Sequence, residues 1–487
     1  MSPFNSAKYK ALLKGLDCQV VPFSQLERTK RIDAEYFNKT HVQVATLLQR
    51  RRTQSVADAA KISDGNHFTI SEHFVEEGIP YYRGQDVVGN FFIELSAPTY
   101  ITEQAFRRPF MLRSHLQKGD VLLSIIGTIG QSSIVSDSSP ATCSCKLAIL
   151  RPREVQPEYL ATFLRSSYGR SQIERLTRGA VQMGILLEDM DQLVVARFSP
   201  SFEQAVSKCV REAKANFQCA DSSLADAEET LLHALGLTNW QPIDTLSCTR
   251  RSSEVFNNQR IDAEYYREKF YAAKRRLKDA GAVRFVPLGD LLTTLTNGHT
   301  PLHHDLRLGE VPFLCAEHVS NFEIHFDSQK RILLEHHRTE LARTALQEGD
   351  VLLTIKGKVG NAAMVEALPG QVNINQDVAL LRVNDRFPVW FILAFVNSLL
   401  GRLQVDQLST GGINPFLGLA NVRRIEIPQL TPKLMTDIAQ KAKQMAHEAR
   451  YSRQQAEGSL TRAKRAIELA IEQDEHVAMA YLSGRED

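Results

Sequence analysis

The chain has 487 residues, of which 43% are hydrophobic and 23% charged, and its formal net charge is +2. These values are ordinary for a globular protein and exclude a global basic excess, so any surface for a polyanion must be a local patch. No apolar run approaches the roughly 18 residues that span a bilayer, and residues 1–10 lack the apolar core of a signal sequence. We therefore expect a cytoplasmic protein.

The first predicted elements run from residue 31 to about residue 200. The motif RIDAEYF at 31–37 leads into a predicted helix over 36–52, and residues 60–152 hold short β-type runs between Gly, Asn, Asp and Pro turns. Helix-forming sequence follows at 159–176, and a last β-like run ends at Pro200, a position that suits the start of a helix. This order predicts a mixed α/β globule.

The same order of elements returns in the second half of the chain. RIDAEYY at 260–266 repeats six of the seven positions of RIDAEYF, and LQEGDVLLTI at 346–355 repeats LQKGDVLLSI at 116–125. Matching segments lie between 229 and 232 residues apart, as expected after a tandem duplication with small loop insertions. The chain is therefore predicted to contain two copies of one unit, each opened by an RIDAEY motif in which an arginine pairs an acid and a tyrosine packs.

Each copy ends in a predicted long helix, over 201–236 and 433–475. Small and apolar residues recur along both helices at alternating spacings of four and three, which is typical of a coiled-coil seam. Since each helix closes its own copy, antiparallel pairing is favoured; the alternative is an amphipathic helix packed on its own globule. About 30 helical residues would give a rod of roughly 45 Å, on the order of 13 base pairs of duplex. The seam comprises Val206, Val210, Ala213, Phe217, Ala220, Leu224, Ala227, Leu231 and Ala234 in the first helix, and Ile438, Ala442, Met445, Ala449, Ser452, Ala456, Ser459, Ala463 and Ala466 in the second.

Catalytic signatures are missing from the sequence. It contains no GxxxxGK[ST] phosphate loop, no GxGxxG, no HExxH, no GxSxG and no adenine-methyltransferase tetrapeptide of Asn or Asp followed by Pro-Pro and an aromatic. The histidines of GHTPLHH, at 299, 303 and 304, are predicted to lie in a solvated or DNA-facing loop without a metal. The seven cysteines form no CxxC pair and are expected to be reduced thiols.

The ordered set of repeated motifs resembles the specificity subunit of type I restriction-modification enzymes. The resemblance rests on RIDAEYF and RIDAEYY, IPYYRGQDV and VPFLCAEHV, GDVLLSIIGTIG and GDVLLTIKGKVG, NINQDVALLRV, and RIEIPQLTP before a helix. It covers about residues 24–475. The first copy has SCKLAILRP where the family tends to show an Asn-Gln pair like Asn375-Gln376.

The resemblance implies an α+β fold of two tandem α/β target-recognition domains, at 1–200 and 237–432, each followed by a long helix. The spacer helices would be 201–236 and 433–475, paired as an antiparallel coiled coil, with 476–487 as a tail. It also implies a non-catalytic subunit that reads bipartite double-stranded DNA and directs adenine-N6 methyltransferase subunits to it, with an ATP-dependent restriction subunit as a further partner. The subunit itself would hold no cofactor, since S-adenosylmethionine and ATP would bind those partners.

Polar side chains in equivalent loops of the two copies are the candidate DNA readers, because base edges are recognised by such groups on exposed loops. The two copies differ at these positions, as two different half-sites would require. Alternatives are an assembly adaptor of another restriction-like phage-defence complex that uses the coiled coil but has weak or no sequence readout, and a nuclease with a degenerate site. The candidates are Asn66, His67, Arg83, Gln85, Asp86 and Thr128 in the first copy, and His299, Thr300, Glu317, His318, Lys356 and Lys358 in the second.

Overall fold

The structure is a computed structural model that describes residues 5–14, 20–24, 26, 31–96, 98–179, 183–245, 247–279, 284–302, 305–412 and 414–484. The chain forms two units. Unit 1 comprises Met1–Phe217 with Gln454–Asp487, and unit 2 comprises Gln218–Arg453. The predicted mixture of helices and strands is confirmed. Helices span Ser6–Leu12, Lys39–Gln49, Val56–Ala59, Glu103–Phe106, Pro157–Arg165, Ser167–Leu176, Pro200–Ala234, Ser252–Asn258, Glu268–Asp279, Leu334–Arg338, Val389–Asn397, Leu399–Leu408, Leu419–Val422, Pro432–Glu472 and Glu475–Leu482.

Unit 1 is built on a four-stranded antiparallel sheet of order β2-β9-β6-β7, beside a second sheet of order β3-β5-β4-β8 and a two-stranded β1-β10 pair. In the first sheet Val121 pairs with Leu150, and Lys61 pairs with Arg151. The buried strand faces pack against the helices that follow them. The strands are β1 Thr53–Ser55, β2 Ala60–Asp64, β3 Phe74–Val75, β4 Ile79–Tyr82, β5 Thr99–Ile101, β6 Val121–Ser124, β7 Ser132–Ile134, β8 Thr142–Cys143, β9 Leu147–Pro152 and β10 Val194–Ala196.

The four-stranded sheet of unit 2 repeats the strand order of its unit 1 counterpart, but the second sheet of unit 2 has three strands where that of unit 1 has four. Its four-stranded sheet runs β12-β20-β17-β18, and Val351 pairs with Leu381 as Val121 pairs with Leu150. A parallel pairing of Phe313 with Asn373 matches that of Tyr81 with Thr142. The strands are β11 Arg284–Pro287, β12 Leu292–Asn297, β13 Val311–Leu314, β14 Val319–Ser320, β15 Glu323–Ile324, β16 Arg331–Ile332, β17 Val351–Thr354, β18 Ala362–Met364, β19 Asn373–Ile374, β20 Val378–Val383 and β21 Glu426–Gln429.

The RIDAEY motif has the same geometry in both units. Arg31 donates to both carboxylate oxygens of Asp33, at 2.5 and 2.7 Å, and its guanidinium lies 4.7 Å from the ring centre of the buried Tyr36. Arg260 binds Asp262 in the same way and lies 4.6 Å from the ring of Tyr265. The motif is a turn outside the helix, so the predicted helix over 36–52 is too long. The observed helix begins at Lys39, after the Asn38 cap, and ends at Gln49.

The helical sequences at 159–176 and 390–408 are each broken into two helices. The break falls at Ser166 and at Ser398, whose hydroxyls accept from the backbone N–H of Gly169 and Gly401. A β-carbon at Gly169 would lie 2.2 Å from the carbonyl oxygen of Phe163, and one at Gly401 would lie 2.3 Å from that of Phe395. Only glycine fits this close approach of the two helices, which explains why the corner occurs in both units.

The first long helix, Pro200–Ala234, and the second long helix, Pro432–Glu472, both contribute residues to both units. In unit 1 the Cys209 thiol donates to the Ser459 carbonyl at 3.3 Å, and the Ser199 N–H donates to Glu475 at 3.0 Å. In unit 2 Arg453 lies 3.3 Å from Asp221. None of the predicted seam residues is exposed, and Val206, Val210, Ala456 and Ala463 are fully buried.

The second long helix ends at Glu472, before the predicted end at 475. A separate helix, Glu475–Leu482, is capped by Asp474 and lies mostly in the predicted tail of 476–487. The six described cysteines are free. Among the described residues, no single helix is long and apolar enough to cross a membrane; Val389–Asn397 and Leu399–Leu408, joined at a bend of 71°, reach that length and composition only as a pair.

Candidate nucleic-acid interface

Two loops of unit 1 meet beside the end of β6. The backbone of Gly84, between Arg83 and Gln85, faces the carbonyl of Ile126 and the side chain of Lys146, since a β-carbon there would lie 3.6 and 3.7 Å from them. Gln85, Thr128 and Lys146 are exposed. Three polar side chains from separate segments are therefore available at one end of the four-stranded sheet.

Arg83 and Asp86 hold the first of these loops. The buried Asp86 carboxylate accepts from the backbone N–H of Arg83 at 2.6 Å, and burial raises the pKa of that carboxyl. Arg83 is half-buried, and its Nε is buried with no hydrogen-bond partner among the described residues. Asp86 thus stabilises the turn, while Arg83 retains an unused donor.

Asn66 and His67 lie in a second loop of the same unit. Asn66 is 3% exposed, and its amide both donates to the Phe68 carbonyl at 2.7 Å and accepts from the Phe68 N–H at 3.0 Å. His67 is exposed and pairs with Asp64, which also pairs with Arg113. Asn66 therefore shapes the loop, and His67 and Arg113 supply its exposed nitrogen donors.

The equivalent loops of unit 2 carry different groups. Thr300 donates to the Gln376 side chain at 2.8 Å, and His299 lies 3.3 Å from Glu340. Lys356 and Lys358 are exposed, and the ammonium of Lys356 lies 4.0 Å from Asp377. Where unit 1 has Ile126 and Lys146, unit 2 has Lys356 and Asp377, so the charges at this end of the sheet differ between the units.

Cys315, Glu317 and His318 bring three potential metal-ligand atoms within 4.8 Å of one another. Lys330 occupies this cluster, because its ammonium donates to Glu317 at 3.0 Å and to the Cys315 sulfur at 3.4 Å. His318 Nδ1 accepts from the Cys315 N–H at 3.0 Å. A resident lysine charge opposes a cation here, so the cluster is better described as an ion-paired turn. His303 and His304, which were predicted to lie in a loop without a metal, are outside the described residues.

Several exposed groups beside the candidate loops were missed in the sequence. Phe68 is 57% exposed and lies 4.4 Å from Phe110, ring centre to ring centre. The Arg108 guanidinium lies 5.9 Å from the Phe110 ring, and Arg113 and Lys146 are also exposed. The Arg-Arg pair at 107–108 next to Phe110 could have been recognised in the sequence. The position of Lys146, in contrast, follows only from the pairing of β9 with β6.

No family model matches this sequence, and no curated protein does. Among solved structures, the S subunit of a type I restriction-modification system from M. genitalium matches with a TM-score of 0.37 and 13% identity, over 88% of this chain and 95% of that one. The chain resembles type I S subunits. A second such match is the HsdS subunit from Thermoanaerobacter tengcongensis, with a TM-score of 0.27 and 13% identity over 89% of this chain and 97% of that one.

The type IIG restriction endonuclease BpuSI also matches, with a TM-score of 0.30 and 10% identity, over 43% of this chain and 35% of that one. The likeness to S subunits is coarse at these TM-scores. Residue roles in this chain follow from its own contacts.

Proposed function

We propose that the chain is a non-catalytic DNA-recognition subunit whose two units each read one half of a bipartite target. The observation that carries this proposal is one scaffold present twice with different side chains at the same loop positions. The four-stranded sheets of the two units have the same strand order and the same pairing of their central strands. Lys356 nevertheless occupies the position of Ile126, and Asp377 that of Lys146. A duplicated scaffold that reads two unlike sequences requires this combination.

The exposed groups of unit 1 have the chemistry for both parts of recognition. Gln85 and Thr128 offer hydrogen-bonding groups suited to base edges, and Lys146 offers a charge suited to a phosphate. In unit 2, Lys356 and Lys358 are the exposed cations of the corresponding loop. With a net charge of only +2, such local groups must supply the phosphate contacts.

The two long helices would pair as an antiparallel coiled coil and set the spacing between the two half-sites. Support comes from contacts inside each unit: Ser199 with Glu475 and Cys209 with Ser459 in unit 1, and Asp221 with Arg453 in unit 2. Residue numbers fall along one helix as they rise along the other. The paired helices would also offer the docking surface for the methyltransferase.

The proposed partners are adenine-N6 methyltransferase subunits, which would bind S-adenosylmethionine, and an ATP-dependent restriction subunit. The assembly would act in the cytoplasm, where its DNA lies. The chain's own part is then to bind and position DNA, with chemistry left to its partners.

The test is to express the chain with the adenine methyltransferase subunit of its own genome and to map N6-methyladenine. We expect a split motif, with two short defined halves around an unspecified gap. Gln85→Ala should change one half only, whereas Lys146→Ala and Lys358→Ala should lower the extent of methylation at all sites without changing the motif. Lys118→Ala is the matched control for Lys146→Ala, because Lys118 is an exposed lysine at the opposite end of β6.

A change in both halves from one loop substitution would contradict the division of reading between units. A stable complex that leaves the genome unmethylated and binds DNA without sequence preference would instead favour the adaptor function.

A further inference from the structure

Unit 1 contains a cavity of about 230 Å³ that is lined by three cations and no carboxylate. Arg165 and Arg170 reach it from the two helices joined at Ser166, and Lys464 reaches it from the second long helix. Among the described residues, no carboxylate lies within 4 Å of any of these three charged groups. The neighbouring Glu468 accepts from the Ser167 N–H at 2.8 Å and lies 3.5 Å from Arg465.

Arg165 is fixed in place by neutral contacts. Its Nε donates to the Ser132 carbonyl at 2.7 Å, its Nη2 donates to the Asn90 carbonyl at 2.5 Å, and its guanidinium lies 4.8 Å from the ring centre of Phe91. Burial, with repulsion from Arg170, lowers the pKa of Arg165 to about 10, so it remains charged at neutral pH. The charge is held in the cavity wall with no anion to balance it.

Unit 2 has the corresponding cavity, of about 210 Å³, without this charge. Asn397 stands where unit 1 has Arg165, at the end of the equivalent helix. Its amide accepts from the Ala362 N–H at 3.0 Å and donates to the Ala362 carbonyl at 2.8 Å. Ala362 is the equivalent of Ser132, since it pairs with Leu353 as Ser132 pairs with Leu123. An uncharged side chain therefore satisfies the structural requirement at this position.

Lys464 also has an uncharged counterpart in unit 2, whereas Arg170 is matched there by Arg402. Leu224 lines the unit 2 cavity four residues before Glu228, which accepts from the Leu399 N–H; Lys464 stands four residues before Glu468 in unit 1. Glu228 also lines the unit 2 cavity, as does its cation Arg402. The lining of the unit 1 cavity thus includes three cations and no carboxylate, whereas that of the unit 2 cavity includes one cation and one carboxylate.

We propose that the unit 1 cavity is a binding site for a phosphoryl group, held by Arg165, Arg170 and Lys464. A phosphate ester carries up to about two negative charges, against one for a carboxylate, and guanidinium groups match its oxygens with paired donors. The exposed Thr461 and the adjacent Gln131 line the same cavity and add polar groups. The phosphoryl group could come from a small phosphate compound or from a DNA backbone, which share this chemistry.

The experiment is calorimetric titration of the full-length chain with inorganic pyrophosphate at constant ionic strength. Lys464→Leu installs the residue that unit 2 has and should weaken binding about fivefold or more, as expected for loss of one charge-assisted contact. Arg402→Gln in the unit 2 cavity is the matched control and should leave affinity unchanged. Arg165→Asn, which copies Asn397, should abolish binding while the melting temperature stays close to that of the parent chain.

Two measurements, pyrophosphate titration and the salt dependence of duplex binding, distinguish a small phosphate compound from a DNA backbone phosphate. Pyrophosphate binding that is lost in the Lys464→Leu variant identifies a site for a small phosphate compound. A DNA backbone phosphate is identified by two results together. Pyrophosphate does not bind, and the salt slope of duplex binding falls by about one in Lys464→Leu but not in Arg402→Gln. Equal behaviour of both variants with both ligands, or displacement of pyrophosphate by an acidic peptide at equal concentration, would overturn the proposal. The pyrophosphate arm needs no DNA, so its result is independent of the proposed reading function.

Discussion

Arg151 binds the fully buried carboxylate of Asp120 through two hydrogen bonds, at 2.7 and 2.8 Å. Asp120 also accepts from the Gln117 N–H at 2.8 Å, which fixes the turn before β6. Arg382 and Asp350 repeat the pair in unit 2. This pair explains why Gly119-Asp120 and Leu150-Arg151 recur together as Gly349-Asp350 and Leu381-Arg382 in the second copy.

We expect Asp120→Ala to destabilise unit 1 by about 2–4 kcal/mol, because it leaves a partly buried guanidinium without its acceptor. Glu103→Gln, which breaks the exposed pair with Arg107, should cost less than about 1 kcal/mol. Urea denaturation followed by circular dichroism measures both. Similar midpoints for the two variants would show that the Asp120 pair is not structural.

The cysteines should separate by reactivity. Burial raises the pKa of the Cys143 thiol far above its ordinary value, so Cys143 stays protonated and unreactive at pH 8. Cys219, on the outside of the first long helix, is exposed and should be alkylated by iodoacetamide within minutes. Peptide mass spectrometry after timed alkylation gives both rates, and urea should equalise them. Fast labelling of Cys143 in the native chain would contradict its burial.

Glycine substitutions should have opposite effects at two helical positions. Gly169→Ala should destabilise unit 1 by roughly 2 kcal/mol or more, because its β-carbon would lie 2.2 Å from a carbonyl oxygen. Gly458→Ala, inside the second long helix, should stabilise the chain by about 0.5–1 kcal/mol, because the added β-carbon would meet no atom within 4 Å apart from the backbone of its own helix. Thermal melting of the two variants tests both expectations. If Gly458→Ala lowers the melting temperature, the helix surface at Gly458 must be in contact with another part of the protein.

The seam of the second long helix can be tested at neighbouring residues. Ala456 is fully buried and Gln455 is exposed. Ala456→Glu should cost about 2–4 kcal/mol, since it would bury an unpaired charge, whereas Gln455→Glu should change stability by less than about 0.5 kcal/mol. Chemical denaturation of the two variants measures the difference between their free energies of unfolding. That difference should vanish if the second long helix does not pack on unit 1.

Lys358 offers a test of phosphate contact in unit 2. It is exposed, and the loop that holds it differs from its unit 1 equivalent. Lys358→Ala should reduce the salt slope of DNA binding by about one without changing the melting temperature. Fluorescence anisotropy with a labelled duplex at several salt concentrations measures the slope, and an unchanged slope would remove Lys358 from the interface.

The mixture of helices and strands was predictable because short β-type runs alternate with helix-forming sequence. Helix ends were less predictable: the RIDAEY turn contains good helix formers, but the Arg31–Asp33 pair and the Asn38 cap hold the chain outside the helix. The corner at Ser166 was missed because its cause, a close approach of Gly169 to Phe163, is a tertiary contact.

The candidate loops were predictable by position, but the role of each side chain was not. Asn66 and Asp86 have the composition of readers, yet both are buried and bonded to the backbone of their own loops. Their conformation depends on local hydrogen bonds that a list of polar residues does not reveal. Lys146 and the charged cavity emerge only when strands and helices distant in sequence are brought together.

The core of unit 1 includes Ala463, Ala466, Ile467 and Ala470, which lie near the end of the chain. During synthesis, residues 31–217 must therefore wait for more than two hundred further residues before their apolar face can be covered, while the intervening unit 2 can close first. The first unit to be translated is then the last to mature. Its exposed apolar surface in that interval is available for chaperone binding or aggregation, so a chain truncated near residue 455 would contain a complete unit 2 and an incomplete unit 1.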